Sequence, residues 1–378
     1  MTDLFPREIL FPVIRAGMNL ESPDLHLANQ DFSLLKEIGD KQSLIPIIRR
    51  GLKKCGYEKE ADIYLEREHM KAMYQFVLHD QALKDLGSVF EKNEIDYIPL
   101  KGSVLRNLYP EPWMRTSCDI DILVHEEELE KAIQVIEEGT AIKFVKRSYH
   151  DVSMTDGRIH LELHFNIKEN MQNIDPLLEK VWSYSHSDEA GHRYVLTSEY
   201  QIFHTVAHMS YHLHSGGLGI RPFLDLWLLR KKTEYSEDKV REMCSSCEIL
   251  TFYEKSCELA DTWFKGKDYT EDSALFEAYC LEGGVFDFGT NTGAAKAGDK
   301  SPVHYLGKRL FADRDMLEGE YPDLKTKPYL LPYYQVKRWT RLLDPKKRKH
   351  ALSEIRKVRD TDEQQIEKMN DFLKKLGI

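Results

Sequence analysis

Residues 97–124 read YIPLKGSVLRNLYPEPWMRTSCDIDILV. An apolar run ends in Lys101, Gly102 and Ser103, and further on Asp119 and Asp121 stand one residue apart in an otherwise apolar segment. Side chains alternate along a strand, so Asp119, Asp121 and Leu123 share one face and Ile120, Ile122 and Val124 the other. Burying two carboxylates costs several kcal/mol unless something compensates the charge. Two carboxylates on one side of one strand can offer their oxygens to a hard divalent cation.

Working outward, EEELEKAIQVIEEG predicts a helix stopped by Gly139. AIKFVKRSYHDVSMTDGRIHLELHF, residues 141–165, reads as strands with Asp156-Gly157 as a hairpin turn. On the last of these strands His160, Glu162 and His164 share a face, which makes Glu162 the natural third acid. Upstream, Gly102 and Ser103 follow one strand and open a helix. The glycine permits close backbone approach, and free N–H groups at a helix start suit an anion such as a phosphate. Ser103 adds a hydroxyl, and Lys101 and Arg115 add positive charge on either side.

Helical patterns flank this unit. Residues 1–65 read as short helices, one capped by Asn29 and stopped by Gly39, another ending at Gly56. A long helix is expected from about residue 60 to 92, its apolar residues stepping by three and four. From about residue 175 the chain is again mainly helical, with Ser198 and Gln201 as a capping box. His204, His208 and His212 then fall on one helix face, and Arg221 and Asp225 on the next helix. The stretch 282–301 is polar, rich in glycine and read as a loop. No strand precedes it, so it is no dinucleotide fingerprint. The basic C-terminal run reads as a solvated helix face. The expected division is 1–65 helical, 66–185 a sheet-bearing core, and 186–378 mainly helical.

The chain has 378 residues and a formal net charge of −10. That acidity argues against bulk nucleic-acid binding, which needs basic surface to displace counterions. Six cysteines are scattered without a disulfide framework. Cys244 and Cys247 form a lone CxxC, read as an incidental helical pair because a structural zinc site needs four ligands. There is no signal-like h-region and no apolar run of membrane length. A soluble, cytoplasmic protein is expected.

The ordered set LKGSVL, YP, R, DIDILV, HLELHF and then H…H…H…RPFLDL resembles the bacterial uncharacterised nucleotidyltransferase family of the polymerase-beta superfamily. The resemblance covers roughly residues 60–235. It implies an α+β fold: a polymerase-beta-like core, a small mixed sheet with helices, flanked by N- and C-terminal helical regions. It implies transfer of a nucleoside monophosphate from an NTP, ATP foremost, to an acceptor, with release of pyrophosphate. Asp119, Asp121 and Glu162 would be the catalytic acids and hold two Mg2+ ions, with Mn2+ as a substitute. Glu162 stands where the superfamily commonly has Asp, which leaves its role open between metal ligand and base. Lys101, Gly102, Ser103 and Arg115 would bind the nucleotide. His164, His204, His208, Arg221 and Asp225 would face substrate. The acceptor is undetermined, a small molecule being favoured over protein or RNA. Two other readings stand beside this one. One is a non-catalytic nucleotide-binding or scaffold module on the same fold. The other is a metal hydrolase centred on His204, His208 and His212, with Asp225 as a fourth zinc ligand.

Overall fold

The computed structural model describes residues 6–21, 23–188, 191–214, 217–282, 311–312, 314–340, 344–345, 348–349 and 363–378. The glycine-rich stretch 283–301 and most of the basic C-terminal run lie outside them. Helices α1 (Pro6–Gly17), α2 (Asn29–Gln42), α3 (Ile45–Lys54) and the 35-residue α4 (Glu58–Lys92) lead the chain. Gly39 does not stop α2. A Cβ there would stand 2.7 Å from Ile45 Cδ1, so glycine serves close packing, and the helix runs on to Gln42. Its cap is Ala28, one residue before Asn29, and Asp31 accepts a hydrogen bond from the Ala28 N–H at 2.7 Å.

The sheet follows: β1 (Tyr97–Pro99), β2 (Ile120–Val124), β3 (Lys143–Arg147), β4 (Asp151–Thr155) and β5 (His160–His164), in the order β1-β2-β5-β4-β3. Only β2 and β5 pair in parallel, so the sheet is mixed and the fold is α+β. The short α5 (Gly102–Leu105) lies between β1 and β2, and α6 (Leu129–Gly139) between β2 and β3. Gly139 ends α6 without a left-handed turn. A Cβ there would stand 2.7 Å from Val89 Cγ2, so it too is a packing glycine, against α4. Asp156 turns the β4–β5 hairpin by accepting from the N–H groups of Arg158 and Ile159, and Gly157 takes φ 90°.

The hairpin β6 (Ser185–Ser187) and β7 (Tyr194–Leu196) then meets the β1 edge, where Tyr97 N–H donates to His192 O at 2.9 Å. Beyond it come α7 (Ser198–His214), α8 (Ile220–Lys232), α9 (Glu237–Ser246), α10 (Leu250–Lys265) and α11 (Glu271–Glu282). Thr197, not Ser198, caps α7, its Oγ1 accepting from Tyr200 N–H at 3.4 Å. Among the described residues no helix is long and apolar enough to cross a membrane.

Two buried clusters share the sheet. Ile120, Ile122, Val124, Leu161 and Leu163 pack with Leu86 and Phe90 of α4 and with α6. Leu123, on the opposite face of β2, joins a second cluster that runs from Ile9 to Leu376 and includes Phe203, Phe223 and Trp263. The apolar alternation of β2 thus turns the Asp121 face toward the C-terminal helices, with an apolar layer behind it. Residue 65 lies within α4, which contributes to both clusters.

Candidate active site

The parallel register of β2 and β5 sets Asp121 opposite Glu162 and Leu123 opposite His164. Asp119 lies one residue before β2. Ligand atoms of Asp119, His160 and Glu162 all fall within 4.8 Å of one another, as do those of Asp121, Glu162 and His164. Glu162 belongs to both groups and so joins the two aspartates. Among the described residues these two sets are the groups of three or more metal-type ligands.

The three acids differ electrostatically. Asp121 is buried, and its Oδ1 accepts from Lys101 Nζ at 2.9 Å and from His164 Nε2 at 3.0 Å. Burial raises its proton affinity, but the Lys101 charge and His164 outweigh this and hold the carboxyl well below the usual range. Asp119 and Glu162 accept no hydrogen bond from Lys101 or His164, the closest approach being His164 Nε2 to Glu162 Oε2 at 3.7 Å, and they shift the other way, pushed up by burial and then by the Asp121 charge. His164 Nδ1 is buried without a hydrogen bond, and the His150 ring stacks on that imidazole at 5.5 Å. An uncompensated excess of negative charge with imidazole beside it fits a divalent cation.

Lys101 reaches Asp121 from a constrained backbone. It takes φ 45° and ψ −118°, a conformation glycine favours, and Ser103 N–H closes the turn on Leu100 O at 3.1 Å. Gly102 lines the cavity, and a Cβ on it would stand 3.0 Å from Arg115 Nη1 and from Ser117 Cβ. Ser103 does not line the cavity. Its Oγ is buried without a partner, and Ser117 supplies the hydroxyl at the cavity wall.

Arg115 and Asp225 are brought together as an ion pair, with Nη2 to Oδ2 at 2.8 Å. Tyr109 donates to the other Asp225 oxygen at 2.7 Å. Arg221 donates to Thr116 O at 3.0 Å, and its Nε is buried without a partner. All three charged residues line the cavity, but the Arg115 charge is already matched by Asp225.

This cavity has a volume of about 330 Å³ and is closed by α7 and α8. His204, His208 and His212 line it as a row, yet they do not form a zinc site. His208 spends Nδ1 on Glu169 at 2.7 Å and Nε2 on His212 at 2.9 Å, and Asp225 is held by Arg115 and Tyr109. Among the described residues the row is not one of the groups whose ligand atoms converge, so the geometry does not support the metal-hydrolase reading. Burial drives His204 and His212 down to about 3 and His208 well below its ordinary value, so the row is neutral. Glu169, pushed up by burial, and His150 complete the polar wall. Sequence reasoning missed both. Glu169 follows β5 in a stretch without periodicity, and His150 sits in the β3–β4 turn.

Residues 28–265 match the model of a family described as uncharacterised nucleotidyltransferase. The chain belongs to this family. In this nucleotidyltransferase the matched region contains both strand-borne acid groups, the Lys101 turn and the histidine row, and leaves α1 outside. No curated protein and no solved structure matches the chain.

Proposed function

We propose that the protein is a Mg2+-dependent nucleotidyltransferase that moves a nucleoside monophosphate from an NTP, ATP foremost, to a small-molecule acceptor. The observation that carries this reading is Glu162, one carboxylate shared by two ligand sets on adjacent strands. Asp119, Asp121 and Glu162 would hold two Mg2+ ions, or Mn2+ in their place. When bound, these ions supply the charge that stabilises attacking and leaving oxygens. Lys101 keeps Asp121 ionised and orders it for a ligand. Arg221, a half-buried cation whose Nε is buried and unpartnered, is suited to a phosphate oxygen. The new bond joins an acceptor oxygen to the α-phosphorus, the bond to the β-phosphate oxygen breaks, and pyrophosphate leaves. Glu162, with its proton affinity raised, also suits the acceptor's proton. The neutral histidine wall can donate or accept hydrogen bonds without adding charge, which suits a polar acceptor. The cytoplasm supplies the NTP, and the free cysteines accord with a reducing compartment.

The test is incubation with each α-labelled NTP, Mg2+ and small molecules extracted from cells, followed by mass spectrometry. A labelled product that needs Mg2+ and is lost in Asp121→Asn supports the reading. The same product yield in EDTA would overturn it. NTP binding with no product from any extract would favour the non-catalytic module, against which the presence of all three acids counts.

A further inference from the structure

A second cavity, of about 250 Å³, shares Arg115 and Ser117 with the catalytic cavity as lining residues. Phe76 of α4 and Trp113 give it an aromatic wall, their rings edge to face at 6.2 Å. Arg106 also lines it and is only 5% exposed. Its Nε donates to Gly102 O at 2.7 Å and its Nη2 to Ser117 Oγ at 3.2 Å. Its guanidinium carbon lies 5.6 Å from the Phe76 ring centroid.

Every one of these partners is neutral. Among the described residues no carboxylate approaches Arg106 within 4.0 Å. Asp80, the acid whose charge reaches it, is paired with Lys84 at 2.8 Å. Arg115 carries a matching carboxylate in Asp225; Arg106 does not. Burial and then repulsion from Arg115 push the Arg106 guanidinium down to about 10, as expected of a buried cation short of an anion. Buried charges are normally paired, because an unpaired one carries a large desolvation cost.

We propose that this cavity binds a small molecule carrying a phosphate or carboxylate on an apolar or aromatic body, with Arg106 taking the anion and Phe76 and Trp113 the body. The site is separate from the acid cluster and does not rest on the nucleotide reading. Arg106 donates to the carbonyl of Gly102, a residue that also lines the catalytic cavity.

The probes are phenyl phosphate and benzoate, one for each anion, with inorganic phosphate for comparison. Binding is followed by calorimetry and thermal shift in EDTA without nucleotide. One aromatic anion should bind saturably, and at least tenfold more tightly than inorganic phosphate. Arg106→Met should weaken it at least tenfold, and Trp113→Ala should weaken it too. The half-exposed Trp113 serves where the Arg106 variant fails to fold. Arg221→Gln should leave it unchanged. No saturable binding by either aromatic probe would overturn the proposal. So would full affinity in Trp113→Ala, or loss in Arg221→Gln with retention in Arg106→Met, which would place the anion in the catalytic cavity.

Discussion

Lys101 Nζ stands 2.9 Å from Asp121 Oδ1, so the most buried acid of the cluster is neutralised by the chain itself. This pairing sets how the three acids respond to substitution. Asp121→Asn leaves Lys101 and His164 with a weaker acceptor and should lower the melting temperature in EDTA. Asp119→Asn relieves repulsion from Asp121 without removing a partner and should raise it. Both should lose transfer by several powers of ten, since metal-based charge stabilisation is worth several kcal/mol. Paired melting and transfer measurements check this, and a higher melting temperature for Asp121→Asn would contradict it.

Lys101→Met should destabilise the metal-free protein toward the low end of roughly 3–5 kcal/mol, because a buried partner is left unpaired. The low end applies because the Lys101 side chain is 25% exposed. Mg2+ should then raise the melting temperature of Lys101→Met more than that of the natural protein, since a cation replaces the lost ammonium. Equal Mg2+ shifts would separate Lys101 from the metal site.

The positive φ of Lys101 gives a second handle on the same residue. Lys101→Gly and Lys101→Ala both lose the ion pair, but only glycine relieves the backbone. Lys101→Gly should therefore be the more stable by about 1 kcal/mol. Urea titrations of the two variants decide it, and a more stable alanine variant would remove the strain argument.

Acid should destabilise the helical wall through His204. Burial and neighbouring His208 bring its imidazole down to about 3, against roughly 6.5 in an unfolded chain. Between those values the unfolded state holds the extra proton. Its stabilising contribution is therefore complete above about pH 6.5 and falls by about 1.4 kcal/mol per pH unit as pH drops toward 3. Asp119, Glu162 and Glu169, raised in the fold, work in the opposite sense from the ordinary carboxylate range upward and are common to the two proteins compared. The measurement is urea stability from neutral pH down to about pH 5. His204→Gln should show the shallower slope, and an identical slope in the two proteins would exclude His204 as the cause.

The acid cluster was legible in the sequence because its signals are local. A period of two puts Asp119 and Asp121 on one face, and the same period on β5 singles out Glu162. The ion pair of Arg115 and Asp225 was not, since it joins residues 110 apart with no pattern linking them. Ser117 and not Ser103 stands at the cavity wall, since the turn at Lys101 aims the backbone in a way residue order does not reveal. Gly39 looks like a helix stop but is a contact point inside α2, whereas Gly139 does end α6 and is also a contact point, each with an opposing side chain that leaves no room for a methyl group. The zinc reading of the histidine row gains no support because helix spacing shows which side chains are neighbours, not whether their nitrogens converge on one point.

Phe11 of α1 stacks on Trp263 of α10 with ring centroids 4.8 Å apart, and Arg15 donates to Trp263 O at 3.0 Å. The first helix of the chain is thus completed by a segment made some 250 residues later. Contacts of such high sequence separation are closed late and slow folding. On a ribosome adding about 5–20 residues per second, Phe11 waits roughly ten seconds or more for the Trp263 ring. A nascent chain in that interval exposes Phe11, which is buried in the finished protein, and so offers a binding face to chaperones.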